Sequence, residues 1–391
     1  MRRALVILLA VAAVLSVPAS AFAAPVLVLG RHGRVTVRND PYLGGPALTP
    51  APRADAMTLG RAPLGARGSS TGGAGFSSPT GTSTPPATTT KPSPTHKKHK
   101  RHKKHKPPVT FASVLAKMAR RGQITAAQQQ QANAAFNAAL ATERSLSGTR
   151  RTELAAVTTT AHDLAAAGRL WPSRLAMVEA TLDANRQWWA HGTLLGYGQR
   201  VMFAGSELEW EYYPGQGIQL QVLGTFGAAN GMWQAGQDTQ LAQLLSEMIP
   251  LASHRGGGLT WEYYFTFDGG APPWTSAMSQ ATALQALSHA YQATGNPYYL
   301  TIAAQALSVF IRTPARGGVM IPTPRGVRFV QYTFTPQTSI LNAFLQSLIG
   351  LDTYAQVSGN QTAVQLFAEG NAEAQWEAPR FNTGAWSLYQ P

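Results

Sequence analysis

The chain has no cysteine among its 391 residues. That excludes a disulfide framework, a thiol nucleophile, a thiolate metal site and a lipoprotein-type anchor. It also lacks His, Asp and Glu at metal-holding spacings, a phosphate-cradling glycine loop and a nucleophile elbow. The pattern therefore calls for no cofactor. Apart from a short leader, no run is long and apolar enough to cross a membrane. The basic excess that nucleic acid would need is missing from most of the chain. The formal net charge is +14, yet residues 1–108 hold 16 Lys and Arg against Asp40 and Asp55, and residues 109–391 hold 16 of each sign. The basic character belongs to the leading segment, so no nucleic-acid partner is expected.

What is present begins with an export-like leader. Arg2-Arg3 precede an apolar stretch from Ala4 to Val17, and Ala19-Ser20-Ala21 and Ala21-Phe22-Ala23 offer small-residue cleavage sites. Residues 1–23 are expected to be a signal peptide and the protein to be secreted or associated with the cell envelope. Left uncleaved, the same stretch would anchor it in a membrane. Residues 24–108 are dominated by Gly, Pro, Ser and Thr. That composition buries too little apolar surface to offset chain entropy, so a disordered linker is expected. Within it, residues 96–106 read HKKHKRHKKHK, a run suited to contact with anionic envelope polymers, or simply to solvation.

Residues 109–198 give four helix-forming segments with few large apolar side chains, read as an accessory helical subdomain. Residues 201–213 alternate like a strand or hairpin and close on Pro214-Gly215. A helix is expected from Ile218. Thr294-Gly295-Asn296 is echoed by Ser358-Gly359-Asn360 downstream and by Ala229-Asn230-Gly231 upstream; 359 − 295 and 295 − 231 both give 64. Apolar helices flank each glycine, which suggests stacked helical hairpins. Within the stretch 274–296, Gln280, Leu284, Leu287 and Tyr291 share one helix face. The helix 340–354 is apolar nearly all round and is expected to be buried on every side. Two inserts, an aromatic one at 259–268 and a glycine-flanked one at 317–335, interrupt the helices.

Five stretches, in order, carry a resemblance: 213–221 (YPGQGIQLQ), 274–280 (WTSAMSQ), 290–296 (AYQATGN), 339–351 (SILNAFLQSLIGL) and 382–389 (NTGAWSLY). Together they resemble the C-terminal domain of D-glucuronyl C5-epimerases over residues 205–389. The resemblance implies a mainly α fold, an incomplete (α/α) toroid of helical hairpins with small β-hairpin inserts over residues 199–391. It implies an activity that inverts C5 of glucuronate to iduronate in a glycosaminoglycan-like polymer, without an organic cofactor. The implied partner is an anionic polysaccharide, and a homodimer is allowed. Several positions depart from the family pattern. Val330-Gln331 stand where an acidic pair is usual, Gln280-Ala281-Thr282 where Gln-Gly-Gln is usual, and Asn342-Ala343-Phe344 where Asn-Gly-Phe is usual. Animal-type members continue into a Tyr-His-rich segment, whereas this sequence ends at Pro391. Truncation, altered chemistry or loss of turnover are the corresponding expectations.

The C5 hydrogen lies α to a carboxylate and is weakly acidic. Inverting that centre removes the proton from one face and returns one to the other. Two carriers must flank the ring, while donors steady the carboxylate as it gains enolate character. The resemblance assigns Tyr332 and Tyr389 as carriers. Glu262, beside Tyr263-Tyr264, is the candidate for the missing acid. Glu207, Glu209 and Glu211 are weaker ones, because alternating glutamates usually form a solvated strand face. Arg328, with Arg325 nearby, is the candidate carboxylate clamp. Trp274, Gln280, Gln331 and Asn342 complete the candidate substrate-binding set. Each has an ordinary reading as well: Tyr332 and Trp274 as packing aromatics, Tyr389 as part of a fraying terminus. His191, His254 and His289 stand alone and take no role. Three other functions fit the same sequence: a uronate-binding module without turnover, a polysaccharide lyase and a structural envelope protein.

Overall fold

The structure, a computed structural model, describes residues 24–42, 108–385 and 387–391. The expected signal peptide at 1–23 and basic run at 96–106 lie outside the described residues. Helix α1 (Phe111–Arg120) starts at a capping box in which Thr110 and Ser113 exchange hydrogen bonds, and α2 (Ala126–Ser145) starts at the same device built from Thr125 and Gln128. Two more helices follow, α3 (Gly148–Ala166) and α4 (Leu175–His191).

A five-stranded sheet covers these helices. Its order is β2-β1-β3-β4-β5, from β1 (Ala24–Leu29), β2 (Val35–Asp40), β3 (Arg200–Phe203), β4 (Trp210–Tyr213) and β5 (Gly217–Leu220). The first two strands correct the linker expectation for residues 24–42. They form an antiparallel hairpin, and β1 pairs in parallel with β3, Leu27 opposite Val201. Val26 and Leu29 are buried by that pairing. The signal was present as two β-branched runs on either side of Gly30-Arg31-His32-Gly33, swamped by the Gly, Pro, Ser and Thr of residues 43–108. The helix expected from Ile218 begins at Val222, because residues 217–220 pair with β4. A buried carboxylate holds that turn: Glu153 accepts from the Tyr212 hydroxyl at 2.8 Å, the Gly215 N–H at 2.9 Å and the Gly217 N–H at 3.0 Å. Residues 109–198 share one hydrophobic core with the rest of the folded chain: Leu115, Leu154 and Trp189 belong to the same cluster as Phe226 and Leu284.

The remaining helices come in pairs. α5 (Val222–Gln234) and α6 (Asp238–Met248) are followed by hairpin β6 (Ser253–Arg255) and β7 (Gly258–Thr260). Next come α7 (Ala277–Thr294) and α8 (Tyr298–Ala306), then hairpin β8 (Met320–Thr323) and β9 (Gly326–Phe329), and finally α9 (Leu341–Ser358) and α10 (Gln361–Glu377). The chain is thus mainly helical with small sheets. α7 packs against both α5 and α9, and it is the helix buried on nearly all sides from Ala277 to Ala290. The all-round burial expected for α9 does not hold: Asn342 is exposed and Leu341 and Leu345 are half-buried.

Two of the three glycine echoes hold. Gly295 and Gly359 each end a helix in the left-handed conformation at φ 68°, where a side chain would be strained. Gly231 differs. It lies inside α5, and a Cβ there would run into the ring of Tyr42 from the β1–β2 segment. Its smallness serves close packing, so the third echo is coincidental. Among the described residues, no helix is long and apolar enough to cross a membrane.

Candidate functional site

The approach to α7 is held from both sides by backbone pairing. Tyr263 and Trp274 exchange hydrogen bonds at 2.8 and 3.1 Å. On the other side, the segment after β9 is zipped to the helix start. The Ala277 N–H donates to Val330 O at 3.0 Å, Ser276 Oγ to Gln331 Oε1 at 3.1 Å, and the Thr333 N–H to Thr275 O at 3.1 Å. This fixes Tyr332 beside Trp274. Their ring centroids lie 5.7 Å apart in an edge contact, and Tyr332 also stacks on Phe334 at 5.3 Å. Trp274 itself is buried. It stacks on Tyr263 at 4.2 Å, and its indole N–H is spent on Phe265 O.

A group of phenols surrounds this aromatic cluster. Tyr389 contributes its hydroxyl to a hydrogen bond with Tyr332; burial, then that neighbour, push its pKa well up. Tyr197 is raised by burial, then by Glu211 and Tyr332. Tyr213, stacked on Phe265 at 4.4 Å, is raised by burial, then by Glu211. These three hold their protons at neutral pH. Glu211 receives Arg200 Nε at 3.1 Å and Gln221 Nε2 at 3.2 Å. Arg200 and Glu211 are directly opposite on β3 and β4. Arg200 also reaches Glu209 at 2.7 Å, and burial lifts that carboxyl to about 7 against the pull of the arginine. The solvated strand face expected for these glutamates is thereby corrected. Glu209 is buried because its own backbone and side chain are drawn under α5, where its N–H binds Thr225 Oγ1.

Beside Tyr332 opens a cleft of about 590 Å³ lined by Arg169, Trp171, Arg255, Arg316, Thr333 and Phe334, with Trp274 and Arg174 in its wall. It is basic and aromatic, with no carboxylate in its lining.

The sequence-derived candidates separate into two groups. Trp274, Gln331, Tyr332 and Tyr389 come together. Asn342 is exposed in the first turn of α9, next to Leu341, whose N–H binds Tyr389 O at 3.3 Å; its own side chain turns back to the Ala343 N–H. The other three have structural duties. Glu262 is buried and fully engaged: Arg174 Nε at 2.6 Å and Nη2 at 2.8 Å, Arg255 Nη1 at 2.7 Å and Ser253 Oγ at 2.6 Å. Burial would raise its pKa, but Arg174 and then Arg255 bring it below the ordinary carboxylate value. That makes it an anchor for two arginines, a poor fit to the proton carrier expected there. Gln280 is completely buried, and its amide pairs with both backbone groups of Trp261, at 3.1 and 2.8 Å. Arg328 donates to Pro336 O at 3.2 Å and faces Glu377 at 3.8 Å, which occupies the proposed clamp. Sequence reasoning did not single out Arg200 and Tyr213, since pairing across β3 and β4 has no local signature, or Tyr197, which meets Tyr213 from the turn before β3.

The folded chain is thus a mainly helical body with an arginine- and tryptophan-lined cleft. Comparison with known proteins narrows this. Residues 256–391 match the D-glucuronyl C5-epimerase C-terminus family, and the chain carries that domain there. The match begins later than Gly205. D-glucuronyl C5-epimerase of Caenorhabditis elegans is 30% identical over 130 residues, covering 30% of this chain and 21% of that protein. An uncharacterised protein of Methanocaldococcus jannaschii is 28% identical over 137 residues, covering 34% of this chain and 44% of that protein. The matches thus span less than half the length of either relative.

Proposed function

We propose that the chain is an exported uronate C5-epimerase acting on an anionic polysaccharide, with Tyr332 and Tyr389 as its proton carriers. The observation that carries this reading is the meeting of the two phenols beside Trp274 at the edge of a basic cleft. In one direction, the C5–H bond breaks as its proton passes to the Tyr332 oxygen in its phenolate form, and electrons move into the uronate carboxyl. The Tyr389 O–H then gives its proton to C5 from the other face. The reverse direction exchanges the roles. Tyr389 enters the donor role with its proton on, as any phenol does at neutral pH, and partial burial and Tyr332 shift its pKa further up. The sugar would enter between the two rings and separate them.

In this reading the helices α5 to α10 are inner and outer members of an incomplete (α/α) toroid, with α7 at its centre. That fits the packing of α7 on both α5 and α9. The leader at residues 1–23 sends the protein out of the cytoplasm. The run at 96–106 touches envelope polymers. The test is label uptake at C5 of a uronate polymer in deuterated water, with absorbance followed in the ultraviolet. Label without absorbance supports epimerisation; an absorbing unsaturated product would replace it with a lyase. A second reading, a uronate-binding module without turnover, is favoured by one observation. Gln331 beside Tyr332 is an amide bound to Ser276, and an amide cannot serve as a base. Binding without label would select that reading.

A further inference from the structure

We infer that the cleft lined by Arg169, Trp171, Arg255 and Arg316 is a subsite for a second, anionic sugar residue of the same glycan, next to the one held at Tyr332. The inference deepens the proposed function, resting on it for the placement of the reacting sugar alone. Charge carries the first part. In this region Glu262 is the carboxylate, and its ion pairs go to Arg174 and Arg255. Arg169 and Arg316 are then left exposed with no carboxylate partner among the described residues. Arg169 is steadied by a hydrogen bond from its Nη1 to Pro272 O at 2.8 Å, and Arg255 by one from its Nε to Gly317 O at 3.1 Å. Guanidinium groups fixed by backbone carbonyls are suited to a planar carboxylate or a sulfate.

Shape carries the second part. Trp171 is 41% exposed, although the Arg174 guanidinium lies 3.6 Å from its ring centroid. An exposed tryptophan in a cleft wall is a platform for the apolar face of a sugar ring. The volume of about 590 Å³ lies within the usual range for small-ligand sites. Thr333 and Phe334 continue the wall directly from Tyr332, so a glycan running along the cleft passes from one subsite to the other. Arg169, Trp171 and Arg255 stand outside the 256–391 match. The connection between α3 and α4, ahead of the matched domain, therefore supplies Arg169 and Trp171 to this subsite.

The test is calorimetric titration of the full chain with three oligosaccharides of equal length: an unsulfated uronate-containing one, a sulfated uronate-containing one and a neutral glucan. The expected result is binding of at least one anionic oligosaccharide, weakened by salt, and no binding of the glucan. Arg169→Ala, Arg316→Ala and Trp171→Ala should each weaken it about tenfold, the scale of one charge-assisted contact. Circular dichroism checks that the variants fold, and these exposed positions should tolerate the changes. Preference for the unsulfated or sulfated form identifies the anion as carboxylate or sulfate. Equal binding of the glucan, unchanged binding in all three alanine variants, or no binding of either anionic form would overturn the subsite. The two readings fail separately. Wild-type binding without C5 label defeats the epimerase and leaves the subsite, whereas label with unchanged affinity in the variants defeats the subsite and leaves the epimerase.

Discussion

Tyr389 is tied to Tyr332 through its hydroxyl, while its carbonyl accepts from the Leu341 N–H at the start of α9. The two tyrosines come from different parts of the chain, one after a β-hairpin and one in the closing segment. Each is positioned by backbone bonds that do not involve the phenols. A substrate could therefore part the rings without unpicking the segments that carry them.

Glu262 is predicted to act on stability. Glu262→Gln leaves the buried Arg174 and the half-buried Arg255 without their countercharge, which should cost about 3–5 kcal/mol, read by chemical denaturation. Its folded pKa lies below the ordinary value. Its contribution is therefore complete above the unfolded pKa and is lost as pH falls through the lowered folded value. A variant that lost activity with unchanged stability would restore the proton-carrier role expected from sequence.

Gly231→Ala should push against the Tyr42 ring and destabilise the chain by about 1–3 kcal/mol, the usual cost of overpacking. Tyr42→Ala should suppress that cost in the double variant. Thermal denaturation of the four members of the cycle measures the coupling, and additivity would mean that the β1–β2 segment does not dock on α5.

Acid should weaken the fold through His289. The ring is buried, stacked on Trp233 at 3.7 Å, and its Nδ1 lies 2.9 Å from Asn230 Oδ1. Burial lowers its pKa to about 4. The unfolded chain takes up a proton near pH 6.5 and the folded chain does not. Stability should therefore be steady above 6.5 and fall between 6.5 and 4 by on the order of 3 kcal/mol. His289→Gln should flatten that part of the pH–stability curve.

The helices were readable because their signals are local. Thr110 and Thr125 cap them, Gly295 and Gly359 stop them, and apolar side chains recur at helical spacing in between. The hairpin at residues 24–42 was hidden by the composition around it, since a short strand pair contributes little to a long average. Of the candidate site, the ordered motifs singled out Tyr332, Tyr389 and Trp274, which the fold brings together, but Gln280 and Glu262 look the same in sequence whether they face a ligand or a backbone. What decides is the partner: Trp261 for one, two arginines for the other, all remote or invisible to periodicity. Arg200 and Glu211 meet only through strand register, which no motif announces.

The most direct measurement is nuclear magnetic resonance of a uronate oligosaccharide incubated with the protein in deuterated water, for wild type, Tyr332→Phe and Tyr389→Phe. In the proposed reaction each phenol has a separate duty, so the wild type should exchange the C5 hydrogen and each variant should lose at least about 100-fold in rate, with affinity for the oligosaccharide retained. Exchange that survives in both phenylalanine variants at the wild-type rate would contradict the account.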